Sequence, residues 1–189
     1  MKPVFTFIKK TDPSIGSKLS TLKDIALGKK SGKFVQCNSL NCMCCKLVPQ
    51  RQIKEINGKV VCYAPGNCKS RNLIYLVLCK ICTKPYIGRT VQYISKRMSG
   101  HRDCFKLIIE NNSNVDYSTD DFSLGLHLAN EHGCSEKSDF NKMYSISILK
   151  NCSPFALEKQ EHIYIHKYNT LYPNGLNKVN PFNLPRLDL

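Results

Sequence analysis

The chain reads as an α+β protein: a small three-stranded antiparallel sheet flanked by helices, preceded by a Cys-rich lobe. Three observations predict this. The stretches "NLIYLVL" (72–78), "KPYIG" (84–88) and "MYSISILK" (143–150) have the β-branched and aromatic content, or the alternation, of strands. Segments between and after them repeat apolar residues at helical spacing. Residues 36–70 carry clustered cysteines with little periodicity, as expected of a lobe held together by metal.

Taken in order, residues 1–35 form a basic arm, in which Ile15, Leu19, Leu22, Ile25 and Ala26 fall roughly at the spacing of a short helix. Residues 36–70 are the Cys-rich lobe, 71–180 the main domain and 181–189 a tail. After the second strand, Thr90 is placed to cap a helix through "VQYISKRMSGHRDCFKLII", with Val91, Ile94, Met98 and Phe105 on one stripe and Gly100 weakening its middle. Residues 111–123 are a polar, acidic loop, and "LGLHLANEH" is a short helix. The last helix starts at "SPFALEKQ", with Ser153 as N-cap and Pro154 at the first helical position.

The 189 residues include 42% hydrophobic residues and no Trp, enough for a modest core. The formal charge of +14 is uneven. Residues 1–70 carry +10 and 71–110 carry +6, whereas 111–189 carry −2. The first 110 residues therefore attract a polyanion. No apolar run approaches a membrane span. "PVFTFI" is too short for a signal-peptide core and no small-residue cleavage site follows it, so the chain is expected inside the cell.

In that compartment eleven clustered cysteines favour zinc thiolates over disulfides. Cys79 and Cys82 form a tight pair between the first two strands. His127 and His132 have zinc-finger spacing, and a Cys2His2 site would clamp their helix onto the hairpin, with Cys134 the substitute if His132 is not a ligand. A second set is Cys37, Cys42, Cys45 and Cys68, with Cys44 and Cys62 as spares. Cys104 and Cys152 stand apart and are expected to be buried free thiols.

Two further clues concern chemistry. On the last helix, Leu157, Tyr164, Ile165 and Tyr168 make a buried stripe, and Glu161 lies in its middle. A carboxylate there is costly unless paired or metal-bound; a place at the stripe's edge, or an ion pair with Arg97, would also explain it. On the middle helix Tyr93, Arg97 and His101 share a face, an arrangement suited to a phosphate and also found on plain solvated basic faces.

Together, "LIY", "YIG", Arg97 with His101 four residues on, Glu161 and Asn177 resemble, in order and spacing, the GIY-YIG nuclease family over about residues 71–178. Leu73 stands where that family's first motif usually has Gly. The Cys-x-x-Cys between the tyrosines, the His-x4-His and the ending "TLYPNGLN" are similar to the endonuclease domain of Penelope-like retroelements, and the Cys-rich segment extends the likeness to about residue 37. Tyr164 stands where that group usually has Trp.

The resemblance implies a DNA endonuclease using one Mg2+ or Mn2+ ion on Glu161, with two structural zinc ions, acting in the nucleus to nick an insertion site. It implies Arg97 as the clamp on developing charge and Tyr86, beside Arg89, as the acceptor of a water's proton. Tyr75 then positions that water, His101 relays the proton or holds the phosphate, and Asn177 orients Glu161 or the first strand. The chain is then a stand-alone relative or a piece of a protein with a reverse-transcriptase region. A non-catalytic zinc module that binds nucleic acid is the second reading, and a disulfide-rich secreted protein the third.

Overall fold

The computed structural model describes residues 32–111, 116–137 and 139–178. Most of the basic arm with its expected helix, and the tail at 181–189, lie outside the described residues. At the centre is an antiparallel hairpin of β5 (Leu73–Cys79) and β6 (Pro85–Thr90), in which Tyr75 faces Gly88 and Val77 faces Tyr86. Strand β7 (Tyr144–Asn151) pairs antiparallel on the other side of β5, giving the order β6-β5-β7. β6 is therefore an edge strand. The register slips by one residue at Ile74/Tyr75, where Leu149 of β7 is the extra residue.

Alternation along β5 sorts its side chains to two cores. Leu73, Tyr75 and Val77 face one side, against helix α1 (Ile94–Ile109), α2 (Ser123–His132) and α3 (Asp139–Met143). Ile74 and Leu76 face the other, against α4 (Leu157–Tyr168). Thus β5 is apolar throughout because both its faces are covered. On α1, Ile94, Met98 and Phe105 are buried as their spacing predicts. α1 packs close to α2 at Gly125, where a Cβ would sit 2.6 Å from Ile108 Cδ1 and 3.0 Å from Phe105 Cα.

The Cys-rich lobe holds small elements that sequence periodicity did not indicate. β1 (Phe34–Val35) pairs parallel with β4 (Gly66–Asn67). β2 (Glu55–Ile56) and β3 (Lys59–Val60) form a hairpin, turning at Asn57 (φ 46°) and Gly58 (φ 74°) as Asn-Gly hairpins do. Asn57 Nδ2 donates to the carbonyls of Tyr168 (2.9 Å) and Asn169 (3.0 Å), capping the end of α4. A 3-10 turn over Met43–Leu47 buries Cys44 and Leu47. Among the described residues no helix is long and apolar enough to cross a membrane.

Several expectations need correction. Thr90 ends β6 and its Oγ1 accepts from Gln92 N (3.0 Å) rather than capping a helix; α1 begins at Ile94, and Val91 is exposed. Gly100 lies on the open side of an unbroken α1, where a Cβ would meet nothing within 4 Å. Ser153 makes no side-chain cap, and a 3-10 turn, Pro154–Ala156, precedes α4. Tyr164 is half-buried, because the stripe on α4 is narrower than its sequence suggests, and Cys104 on α1 and Cys152 after β7 are half-buried rather than buried.

One long-range tie can be tested directly. Tyr144, fully buried, donates its hydroxyl to Leu124 O at 2.7 Å and so fixes β7 to the start of α2. Tyr144→Phe removes one neutral hydrogen bond without changing shape. Chemical denaturation should show a loss of about 1 kcal/mol.

Candidate functional site: a cleft at the edge strand

A cleft of about 780 Å³ opens along β6. Its walls come from Tyr86 and Arg89 on that strand, Arg97 on α1, Asp120 and Asp121 before α2, and Glu161 on α4. Sheet topology explains the meeting. Edge strand β6 is where the helix layers on the two faces of the sheet approach one another.

Arg97 is held from two sides. Its Nε donates to Tyr75 Oη at 3.0 Å, and an Nη pairs with Asp121 Oδ1. Two of the five guanidinium protons are thereby engaged, leaving donors for the cleft. Desolvation opposes the charge of this guanidinium, but its hydrogen bonds to Asp121 and Tyr75 hold it charged.

Behind it lies a buried relay. His101 Nε2 is 2.9 Å from Tyr75 Oη, and His101 Nδ1 is 3.3 Å from the Asp121 carbonyl oxygen. A carbonyl can only accept, so Nδ1 carries the proton and Nε2 accepts from Tyr75. His101 is neutral, since burial and then Arg97 push its pKa down to about 3. It lines no part of the cleft. Of the two expected roles, relaying a proton or holding the phosphate, its buried contact with Tyr75 has the geometry of the first.

The two tyrosines differ in position. Tyr75 is buried behind Arg97, and burial, opposed by Arg97, raises its pKa to about 12. Tyr86 faces the cleft, and burial first, then Tyr75 and Asp120, push its pKa up. The guanidinium that acts against this rise is Arg97, not the expected Arg89. Gly88 is required between the two rings, because a Cβ there would collide with Tyr75 Oη and the Tyr86 ring.

Arg89 turns instead to α4. Its Nε lies 3.1 Å from Glu161 Oε2, and its Nη1 3.6 Å from Glu158. The ion partner of Glu161 is thus Arg89 rather than Arg97. Burial nevertheless pushes the pKa of Glu161 to about 7, and the like charge of Asp120 adds to the rise.

Asn177 is buried and makes a two-way amide clasp on β6. Ile87 N donates to its Oδ1 (3.0 Å), and its Nδ2 donates to Ile87 O (2.8 Å). Thr170 Oγ1 donates to the same Oδ1 at 2.7 Å. Asn177 therefore holds the second strand, not Glu161 or the first strand as expected. Its Nδ2 also reaches Asp120 Oδ2 at 3.3 Å, and Lys178 N donates to Asp120 Oδ1 at 2.8 Å. Asp120 and Asp121 were not singled out from the sequence. Their only local signal was an acidic pair just before a helix.

Two groups of side chains can each hold a zinc ion, and they are the two sets the spacing favoured: Cys79, Cys82, His127 and His132, and Cys37, Cys42, Cys45 and Cys68. In the first, Cys79 Sγ is 3.4 Å from His132 Nε2, Cys82 Sγ 3.3 Å from His127 Nε2, and the two Nε2 atoms are 3.1 Å apart. Tetrahedral zinc bound at about 2.0 Å to nitrogen and about 2.3 Å to sulfur has N–N edges of about 3.3 Å and N–S edges of about 3.5 Å. In the second, Cys37 and Cys45 are 3.6 Å apart, and Cys45 and Cys68 3.5 Å, against an S–S edge of about 3.8 Å. The spares stay outside both groups. Cys44 packs into the core, and the Cys134 thiol lies 3.9 Å from the His132 carbonyl.

Glu131, unnoticed in the sequence, supports the first group. Its Oε1 lies 3.3 Å from His127 Nδ1, in ion-pair reach though off the line of a hydrogen bond, and Lys84 pairs with it at 2.8 Å. Such a carboxylate behind a ligating histidine fixes ring orientation. In the second group, Cys68 also supports α1: its carbonyl accepts Ser95 N at 3.1 Å, and the Ser70 carbonyl accepts Ile94 N at 2.9 Å.

Comparison with known proteins gives no match to a family model, a curated protein or a solved structure.

The burial of neutral His101 has a consequence for stability. Its folded pKa, about 3, lies below the unfolded value of 6.5. Its contribution is therefore full above 6.5 and is lost as pH falls towards 3. Urea titrations should show that the stability gap between wild type and His101→Gln shrinks on acidification from pH 6 to 5. The change approaches at most about 1.4 kcal/mol per pH unit. A gap independent of pH would mean that His101 is already protonated in the fold.

Proposed function

We propose that the chain is a metal-dependent endonuclease of GIY-YIG type that nicks DNA, allied to the endonuclease domain of Penelope-like retroelements and working on nuclear DNA beside a reverse-transcriptase region. One observation carries this reading. Tyr86, Arg97 and Glu161 meet in one cleft, with Tyr75 and His101 braced behind the arginine. A nucleic-acid-binding module has no use for a carboxylate whose desolvation raises its pKa to about 7 at the floor of a basic protein's cleft.

Glu161 fits a single divalent ion of the Mg2+ class. Magnesium sites commonly use one or two carboxylates, with phosphate and water supplying the rest, and the repulsion from Asp120 is relieved by a cation. When bound, such an ion supplies positive charge for the leaving oxygen and favours the phenolate form of Tyr86. The chain's own groups do the remainder. Arg97 presents its free N–H donors to the phosphate, where negative charge grows in the transition state. Tyr86 takes the proton of the attacking water as the new P–O bond forms and the ester P–O bond breaks. Arg89, released from Glu161, is free to meet the phosphate. The basic residues of 1–110 supply the sequence-independent part of DNA affinity.

Supercoiled plasmid tests this. Wild type with Mg2+ or Mn2+ should yield nicked circles. Glu161→Gln should give none while binding DNA as before, and Tyr86→Phe should slow nicking by about 10²–10⁴-fold. Equal loss of binding and cleavage in Glu161→Gln would make that residue structural and favour the binding-module reading.

In the same proposal both Cys/His groups hold zinc. The first ion then joins segments more than forty residues apart in the sequence. Structural zinc contributes about 10–16 kcal/mol in small finger peptides, against a typical domain stability of about 5–15 kcal/mol. Elemental analysis should find two zinc ions per chain. Cys82→Ser and His127→Ala should each lose one, melt earlier and stop nicking. Retention of both ions by His127→Ala alone would break the proposed cross-link.

A further inference from the structure

Two aromatic side chains next in sequence to cleft-lining residues face water. Phe155 is 98% exposed and Tyr93 51% exposed. Phe155 follows Pro154, and Tyr93 follows Val91 and Gln92, and all three of these neighbours line the cleft. Topology brings them to one end of the sheet. β6 ends at Thr90 and β7 at Asn151, and both residues pair with Leu73 at the start of β5. The same end carries Lys69, Arg71 and Lys96, all exposed. They are drawn together because the start of α1 donates to the carbonyls of Cys68 and Ser70.

Neither ring serves the core, and the surroundings of Phe155 are polar: Ser153, Glu158 and Lys159 are all exposed. Exposed aromatic posts at a sheet end that also carries Lys69, Arg71 and Lys96 suit a ligand with flat apolar faces and a strung-out negative charge. Unstacked nucleobases on a phosphate backbone have that chemistry, whereas bases within continuous duplex have their faces already covered.

We propose that Phe155 and Tyr93 stack on unpaired bases either side of the scissile phosphate. The preferred substrate is then DNA that is locally unpaired at the cleavage point, such as a bubble or flap, rather than continuous duplex. This rests on the nuclease reading of the cleft and deepens it. Lys69, Arg71 and Lys96 take the phosphates that lead away from the unpaired stretch. Stacking is tolerant of sequence, because every base has a π-face.

The test uses the 189-residue chain carrying Glu161→Gln, expected to bind without cutting, and fluorescence anisotropy with two DNAs: a continuous duplex, and the same duplex with a central mismatched bubble. The bubble should bind about tenfold tighter. Adding Phe155→Ala or Tyr93→Ala should each weaken bubble binding about tenfold and leave duplex binding within about twofold. A 2-aminopurine in the bubble should lose fluorescence on binding, and lose less with either variant. Unchanged melting temperatures verify that these exposed positions leave the fold intact.

Equal affinity for both DNAs, or equal loss on both in the variants, overturns the stacking proposal. If wild type still nicks plasmid in that case, the nuclease reading survives alone. If neither DNA binds, both readings fall. A change in oligomeric state on Phe155→Ala, with DNA binding unaltered, assigns that ring to protein contact and likewise overturns the proposal.

Discussion

Everything at the cleft depends on holding one edge strand still. Among the described residues β5 is the strand partner of β6, and the outer edge of such a strand ordinarily frays or recruits another strand. Here the amide of Asn177 occupies the outer edge at Ile87, donating to its carbonyl and accepting from its N–H as a neighbouring strand would. Leu176 N adds a bond to Pro85 O at 2.9 Å. The approach is close enough that Gly175 has no room for a side chain, since a Cβ would sit 2.7 Å from Pro85 O. Tyr86 and Arg89 are thus set by a strand clasped on both sides.

The charges of the site follow from that geometry. A half-buried arginine beside a buried histidine is unfavourable unless one of them stays neutral, and burial decides that the histidine does. Neutral His101 can accept from Tyr75, Tyr75 can accept from Arg97, and Asp121 closes the arrangement through its carboxylate to Arg97 and its carbonyl to His101. The result is a fixed cation facing an open cleft. Across it Arg89 and Glu161 neutralise each other, an arrangement that any incoming anion and cation must divide between them.

What could be read from the sequence was what local pattern encodes. The main helices have period 3.6, β7 alternates, β5 shows its β-branched and aromatic run, and both metal-ligand sets announce themselves by Cys-x-x-Cys and His-x4-His spacing, which is a property of the chain itself. Glu161 showed itself as a carboxylate within an apolar stripe and Arg97 as part of a shared helix face, whereas Tyr75 and Tyr86 came through a resemblance of order and spacing. What could not be read was partnership across long separations. Nothing near Asn177 says that its amide will meet Ile87, ninety residues earlier in the chain. Asp121 looks like any acid in a polar loop until Arg97 arrives, and Glu131 like any surface acid until His127 does. The two-residue strands of the lobe are too short to carry a period at all.

The two four-ligand groups divide the positioning work between them. One sits at the turn of the β5–β6 hairpin and ties it to α2, fixing the strand that bears Tyr86 and Arg89. The other ends at Cys68, whose own carbonyl receives the first turn of α1, the helix that bears Arg97 and His101. β6 and α1 are therefore each anchored at one end by a side-chain cluster outside the cleft, whereas α4, which bears Glu161, is capped by Asn57. A small three-stranded sheet has little core to spare for rigidity. Placing the anchors beyond the cleft leaves its walls free to be polar, desolvated and charged, which a site built only on packing could not sustain.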